Sequence, residues 1–408
     1  MVVDPHAEYR IAQSRQHLQR VKGSPGLALD TLDRSGCGVL LQFAAPIDLL
    51  PQPAPLCFDR QWQPQYQPSL CETPLRVGTL NLSIVNDAQL VGPGLVFTRD
   101  GRILDKSIGR HAERFGLATG PDQTCRLSDG LTGLIEDAQR AGAVSAHDGD
   151  ALLLSDPAIR HFGMWVLKCL PKLRILTLLS EAAINVVVPA DVPDKFLVLM
   201  ESLGIGPERV VFHDPQGISS FRRLIVPPKI YRPASSRYGN PFEVFRTGAR
   251  SDHRSVSRLA RPGRGPERVY VSRRGNRRRR LANEKAVEQI FARHGFRVVE
   301  PSALSAVETL ALFRDCELIA GPLGSGLYNI LFSRHAPRAV VLTPPVTKFE
   351  NMFLAMHHVC SAKGGRAGFI FGRIVEGSAG PGGMFDYTWE VDMGRLSETL
   401  ADLAPPRG

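Results

Sequence analysis

From residue 268 onward the chain repeats one pattern, and that repeat restricts its fold more than any other feature. Apolar, β-branched runs at 268–272, 296–299, 317–320, 338–342 and 367–371 alternate with segments of helical period at 281–294, 305–315, 324–332 and 349–360. Strands separated by helices of this length cannot close as hairpins. Each must return by a crossover, so the spacing predicts a parallel sheet covered by helices, a doubly wound Rossmann-like domain over 268–408. A helical segment at 393–403 is expected to close the chain.

A second α/β region precedes this one. An apolar run at 151–155 is followed by helical spacing over 159–171, carried by Phe162, Trp165, Val166, Cys169 and Leu170. Strand-like runs then stand at 174–178 and 184–188, a helix opens at Pro193 and ends before Gly204, and further strands are expected at 209–212 and 224–226. Upstream, 76–108 breaks into short runs separated by Asn86-Asp87, Gly92-Pro93-Gly94 and Arg99-Asp100-Gly101, the signature of an antiparallel meander. Residues 1–75 are poorly patterned. The stretch 6–21 fits a short amphipathic helix, and seven prolines from Pro46 to Pro74 break regular structure. The expected organisation is an α/β fold of two Rossmann-like domains, 1–240 and 268–408, joined by a Pro-, Gly- and Arg-rich linker at 241–267. Such a pair faces a cleft, and ligands bind its sheets outside the carboxyl ends of the strands.

The charge distribution narrows the class of ligand. The formal net charge is +10, and the span from Arg250 to Arg280 alone holds twelve arginines and no lysine against Asp252 and Glu267. The remainder of the chain is therefore formally neutral. A protein that tracks a polyanion spreads its basic residues along a face, whereas one concentrated segment suits a small, multiply charged ligand, so nucleic acid is not an expected partner. The seven cysteines are far apart and form no C-x-x-C pair, which reads as reduced thiols of a cytoplasmic protein. The amino-terminal residues are polar, without the apolar core of a secretory leader. No apolar run reaches membrane-spanning length, although peripheral contact with the inner face of a membrane is compatible with the composition. Nothing in the sequence specifies an oligomeric state.

Three stretches can carry chemistry. In the first, the run Val269-Tyr-Val ends at Ser272, six arginines fall between Arg273 and Arg280, and a helical pattern begins with Asn283 and Glu284 in its first turn. Strand end, cationic loop and helix N-terminus together make a receptor for a phosphorylated ligand, because the helix start adds unpaired N–H groups and a positive dipole end. In the second, Gly321, Gly324 and Gly326 follow the strand at 317–320, and a helix starting near Ser325 presents its N–H groups to the same edge. The spacing is neither G-x-G-x-x-G nor a Walker A loop, which disfavours a dinucleotide dehydrogenase or a P-loop enzyme. The third is His161, at a predicted helix start after a strand, where an imidazole can act as a general base. Asp156 and Arg160 are close enough in sequence to orient it. Asp148-Gly-Asp150 fits a D-x-D metal-site spacing but reads more simply as a turn, and adjacent His357 and His358 point about 100° apart on a helix and do not share one metal.

These residues resemble a known family. The segment YVSRRGNRRRRLANEKAVEQIFARHGFRVVEPSALSAVETLALFRDCELIAGPLGSGLYNILF is similar to the C-terminal half of glycosyltransferase family 61. More weakly, RHFGMWVLKCLPKLRIL and FLVLMESLGIGPERVV resemble its upstream segments, so the likeness spans about residues 75–345. The resemblance implies an inverting, metal-independent glycosyltransferase of the B-type two-domain arrangement. It would use a nucleotide sugar, commonly a UDP-sugar, as co-substrate, with no cofactor. The acceptor would be a saccharide or lipid-linked saccharide, in capsule or surface polysaccharide synthesis. By matching position, Ser272, Arg273, Arg279, Asn283 and Glu284 fall on the donor-side motif, with Arg280 beside them. Gly321, Gly324, Gly326 and Asn329 fall on the glycine loop with Ser325 between, and His161 on the histidine of the first domain. Two positions depart from the family: Leu323 stands where a histidine is usual, and Glu308-Thr309 replaces Glu-Gln. Loss of that histidine leaves an alternative open, a catalytically inactive binding protein on the same fold.

The chemistry fits these positions. Negative charge develops on a diphosphate as the glycosidic bond breaks, and arginines with helix N-termini stabilise it without a metal. The acceptor hydroxyl then needs a base on the opposite face of the sugar, hence on the other domain. His161 is the expected base and Asp156 the second choice.

Overall fold

The computed structural model describes residues 3–23, 26–42, 47–48, 75–77, 81–108, 118–119, 124–155, 158–179, 184–228, 242–243, 265–344, 355–357, 359–361, 364–378 and 386–404. It is mixed α/β and divides into two units, Met1–Ile47 with Gly78–Ile230, and Asp48–Val77 with Tyr231–Gly408. The proline-rich stretch before residue 75 and most of the 241–267 linker lie outside the described residues.

The first unit is built on one twisted, mixed sheet. Its principal strands are β1 (Asn81–Val91), β2 (Leu95–Phe97), β3 (Ile103–Leu104), β4 (Val144–Leu153), β5 (Asn185–Pro189), β6 (Val210–His213) and β7 (Ile218–Val226), in the order β6-β5-β4-β7-β1-β2-β3. The first four of that order run parallel, and β7 then pairs antiparallel with β1, Leu224 facing Val85 and Ile225 facing Ile84. The meander and the α/β units are thus one sheet. Both faces of β1 are buried, as the alternation of a covered strand requires. Leu90 packs with Val96, Ala151, Val187 and Leu224, whereas its neighbour Val91 packs on the opposite side with Phe97 and Leu131. Helix α1 (Asp129–Arg140) presents Leu131, Ile135 and Ala138 to that second cluster at helical spacing, and Ser128 caps its first turn.

Several local expectations are overturned by tertiary contacts. Asn86-Asp87 does not turn the chain. β1 runs through it, with Asp87 in a left-handed conformation (φ 47°) and the Asn86 side chain donating to the carbonyl of Gly36 at 3.1 Å. The stretch 6–21 is strand, short helix, strand (Glu8–Ala12, Ser14–His17, Gln19–Lys22), because Tyr9 and Ile11 alternate into the sheet core. Residues 174–178 belong to the 3-10 segment Leu170–Leu178, which Pro171 opens with its fixed φ. Asp148-Gly-Asp150 lies inside β4. The Asp150 carboxylate there accepts from Arg223 Nε at 2.9 Å and Arg222 Nε at 3.2 Å, so it neutralises an arginine that is 1% exposed.

The second unit contains β8 (Arg268–Val271), β9 (Arg280–Leu281), α2 (Glu284–Arg293), β10 (Arg297–Val299), α3 (Ala306–Phe313), β11 (Leu318–Pro322), β12 (Arg338–Thr343), β13 (Arg366–Phe371), β14 (Arg373–Ile374), β15 (Thr388–Glu390) and α4 (Met393–Leu403). Five of these strands form a wholly parallel sheet in the order β10-β8-β11-β12-β13. Numbered along the sheet's own strands this is 2-1-3-4-5. The expected helix at 324–332 is a 3-10 segment, Ser325–Phe332. The short strands β9, β15 and β14 make a separate ribbon beside the sheet. Helix α4 packs on α2, and buried His294 at the end of α2 is bonded through Nδ1 to the carbonyl of Ala404 at 2.7 Å. Part of the helix expected at 349–360 lies outside the described residues. Cys125, Cys169, Cys316 and Cys360 are buried. Among the described residues no helix is long and apolar enough to cross a membrane.

The Arg223–Asp150 pair supplies a stability test. Asp150 is the buried carboxylate of Arg223, whose other carboxylate partner, Asp30 at 2.9 Å, is largely exposed. Asp150→Ala therefore leaves a buried guanidinium on a solvent-screened partner and is expected to lower unfolding free energy by up to about 3 kcal/mol in urea titrations. Replacing both by apolar residues, Arg223→Met with Asp150→Leu, should recover most of that loss.

Candidate functional site

An open parallel sheet has its ligand crevice where neighbouring connections diverge, outside the carboxyl ends of the strands. In the second unit that point lies between β8 and β11, which pair directly through Tyr270 and Ala320. Two loops leave the sheet there side by side, the arginine loop after β8 and the glycine loop after β11.

The arginine loop is tightly folded. Ser272 is buried, its N–H donates to the carbonyl of Val299 at 2.8 Å, and its Oγ accepts from the N–H of Arg274 at 3.3 Å. The N–H of Arg273 donates to Glu284 Oε1 at 2.6 Å, which ties the loop to the first turn of α2. Two guanidinium groups then meet on one acceptor: Nη1 of Arg273 and Nη1 of Arg279 both donate to the carbonyl oxygen of Leu323, at 3.0 and 3.1 Å. A carbonyl has lone pairs for both donors, but two cations held there are poorly solvated and repel each other. Burial, with Arg279 as second cause, pulls Arg273 down to about 10, and burial lowers Arg279 as well. Nε of Arg273 is buried without a hydrogen-bond partner. An anion placed against this pair would relieve both the repulsion and the missing solvation.

The glycines are required by packing between the loops. A Cβ on Gly321, whose φ is 149°, would lie 2.5 Å from the carbonyl oxygen of Val271, and one on Gly326 would lie 2.8 Å from the Val271 side chain. A Cβ on Gly324 would lie 2.3 Å from Nη1 of Arg273. Gly321 and Gly326 therefore let β11 close on β8, and Gly324 makes room for the arginine. Ser325 starts the 3-10 turn, whose first N–H groups have no partner within it. Asn329 is 1% exposed, donates to the carbonyl of Gly326 at 2.9 Å, and leaves its Oδ1 buried without a donor.

The remaining residues of the motif take other positions. Glu284 is buried, and that burial raises its carboxyl above the ordinary range. Asn283 uses its side chain on Val391, donating to the carbonyl at 2.7 Å and accepting from the N–H at 3.3 Å. Arg280 is exposed, at the start of β9. Leu323 is 6% exposed, its N–H bonded to the Leu342 carbonyl, so it offers the site its backbone oxygen and no polar side chain. Glu308 closes a capping box with Ser305, a signal legible in Ser305-Ala-Val-Glu308, and Thr309 bonds back to the Ser305 carbonyl at 2.7 Å. A small cavity beside the arginines is lined by Arg279, Pro322, Leu323, Thr343, Tyr387 and Trp389. Tyr387 and Trp389 escape a reading of the sequence, since nothing local marks them.

His161 belongs to the first unit. It is exposed at the N-cap of the short helix Phe162–Met164, and its carbonyl accepts the N–H groups of Met164 and Trp165, each at 2.9 Å. A π-helical turn, Trp165–Cys169, follows directly, with Trp165 buried and stacked on Phe196 at 5.0 Å. Arg160 pairs with Asp191. Buried Lys172 donates to the carbonyl of Ser155 at 3.0 Å. Asp156 lies outside the described residues.

Residues 162–342 match the family model described as Glycosyltransferase 61. The chain carries a domain of glycosyltransferase family 61, and it is a glycosyltransferase. The matched span takes in both loops, from Ser272 to Asn329, and begins one residue after His161. Tyr387 and Trp389 stand beyond the glycosyltransferase 61 match. No curated protein matches the chain significantly.

The glycine geometry separates two effects in this glycosyltransferase. Gly321→Ala meets main chain at a left-handed backbone and is expected to cost ~2 kcal/mol or more in denaturant unfolding. Gly324→Ala meets only the end of a flexible side chain, so Arg273 should move while the unfolding midpoint stays close to that of the parent.

Proposed function

We propose that the chain is an inverting, metal-independent glycosyltransferase that binds a UDP-sugar at the carboxyl edge of the second unit's sheet and transfers the sugar to a saccharide or lipid-linked saccharide. The observation that carries this is the convergence of Arg273 and Arg279 on the Leu323 carbonyl at the β8–β11 edge. The clustering of the +10 net charge around that loop supports it. In this scheme the parallel 2-1-3-4-5 sheet of the second unit is the Rossmann-like donor domain. Membership of the glycosyltransferase 61 family supplies the nucleotide-sugar donor and saccharide acceptor in general terms. Capsule or surface polysaccharide synthesis at the cytoplasmic face of a membrane is the proposed setting.

The reaction is a single displacement. An acceptor hydroxyl oxygen forms a bond to the anomeric carbon as the bond from that carbon to the diphosphate oxygen breaks, and the electron pair leaves on the diphosphate. Arg273 and Arg279 take up the charge that develops there, the role a divalent cation plays in other transferases. His161 receives the acceptor proton on a ring nitrogen, the role an imidazole takes as a general base. Inversion follows because nucleophile and leaving group occupy opposite faces of the sugar.

A second reading, a catalytically inactive protein that retains nucleotide-sugar binding, is favoured by Leu323, whose buried apolar side chain replaces a polar one beside the leaving group. Calorimetric titration with UDP and a turnover assay over a panel of nucleotide sugars distinguish the two. Arg273→Ala and Arg279→Ala should each weaken UDP binding by roughly tenfold or more. His161→Ala should leave UDP affinity as in the parent and slow transfer by about 10²- to 10⁴-fold. Arginine variants that bind UDP like the parent would remove the donor assignment. A parent chain that binds UDP yet turns over no donor in the panel would establish the second reading.

A further inference from the structure

Arg279 has a left-handed backbone, φ 53°, shared among described non-glycine residues only with Asp87. A side chain with a Cβ persists in that region only where its surroundings over-determine it. Here the surroundings are the segment from Tyr387 to Val391. Nε1 of Trp389 donates to the carbonyl of Arg279 at 3.0 Å. The N–H of Arg280 donates to the carbonyl of Tyr387 at 3.0 Å, and that of Ala282 to the carbonyl of Trp389 at 2.7 Å, within the parallel pairing of β9 and β15. Asn283 ends the run with its side-chain amide bonded to both main-chain groups of Val391. The strained residue is thus bracketed on its own carbonyl and on three of the four residues that follow.

The indole N–H is a donor only, and Trp389 is 1% exposed, so the Arg279 carbonyl satisfies a group that water does not reach. Without that bond the turn can relax toward negative φ, and the guanidinium leaves the Leu323 carbonyl and Arg273. The bond therefore sets where a charge stands, which is preorganisation of the kind that governs anion affinity.

We propose that Trp389 is a positioning residue for the donor diphosphate: it holds Arg279 in the turn that aims its guanidinium beside that of Arg273, while Asn283 anchors through Val391 the segment that carries the tryptophan. The role rests on the donor site proposed above. It also assigns a function to a segment that lies beyond residue 342, where the family match ends.

The test is a double-mutant cycle on the full chain, read as UDP dissociation constant by calorimetry. Trp389→Phe keeps a buried ring and removes the N–H. It should raise the UDP Kd about fivefold, the loss of one neutral hydrogen bond. The same substitution in an Arg279→Ala background should have no further effect, because a residue that acts through another is not additive with it. Equal losses in both backgrounds, or no loss in the parent, would overturn the positioning role. Should Trp389→Phe not fold, Asn283→Ala in the same two backgrounds decides it, with non-additive loss again the expected result and additive or absent loss the contrary one. Arg279→Ala that binds UDP as the parent does removes the donor site and the proposal with it. Weakened binding in Arg279→Ala with none in Trp389→Phe removes the positioning role alone.

Discussion

The pairing of β8 with β11 is the contact on which the second unit's site depends. It brings the ends of two strands, 50 residues apart along the chain, to the same edge, where Arg273 reaches the carbonyl of Leu323. The approach is possible because Gly321 and Gly326 carry no side chain against Val271. A methyl group at either position would push the strands apart or distort them, and the arginine would lose its acceptor. Packing at the strand ends and placement of charge are therefore one constraint.

The electrostatic consequence follows from that geometry. Two guanidinium groups share one carbonyl in a partly buried place, so the loop holds unsatisfied positive potential before any ligand arrives. In Arg273 this is felt as a pKa drawn down to about 10 by burial and by Arg279. Folded proteins tolerate such an arrangement when other contacts stabilise it, and here the Glu284 carboxylate on the Arg273 N–H and the ribbon beneath Arg279 do so. The glycine loop, which in sequence suggests close approach to a ligand, is occupied in the structure with close approach to protein. In the proposed donor site the ligand-facing atoms are those of the arginines and of the start of the 3-10 turn.

Much of the second unit was legible in the sequence because its signals are local. Alternating apolar runs and helical periods depend on neighbouring residues, and the observed strands at Arg268–Val271, Leu318–Pro322 and Arg338–Thr343 fall within a residue or two of their expected places. Errors arose where a distant partner overrode a local preference. Asn86-Asp87 has turn composition, yet the carbonyl of Gly36 bonds the asparagine and the strand continues. Asp150 follows a Gly in a D-x-D spacing, yet Arg223, 73 residues away, draws it into the sheet. At 6–21 the strand alternation of Tyr9 and Ile11 was masked by polar residues that also fit one face of a helix.

The sequence by itself determined that residues beyond 268 form an α/β unit, that the chain's surplus charge is concentrated between Arg250 and Arg280 with six arginines in the loop after one strand, and that a glycine loop follows another. These depend on composition and period, which short-range sterics and burial enforce. Only the tertiary structure decided that Arg273 and Arg279 share the Leu323 carbonyl, that Asn283 spends its side chain on Val391, and that Trp389 pins a left-handed Arg279. Those pairs are separated by 44 to 110 residues, and no local propensity encodes a hydrogen bond across such a distance. They exist because parallel strand order places the ends of remote segments side by side.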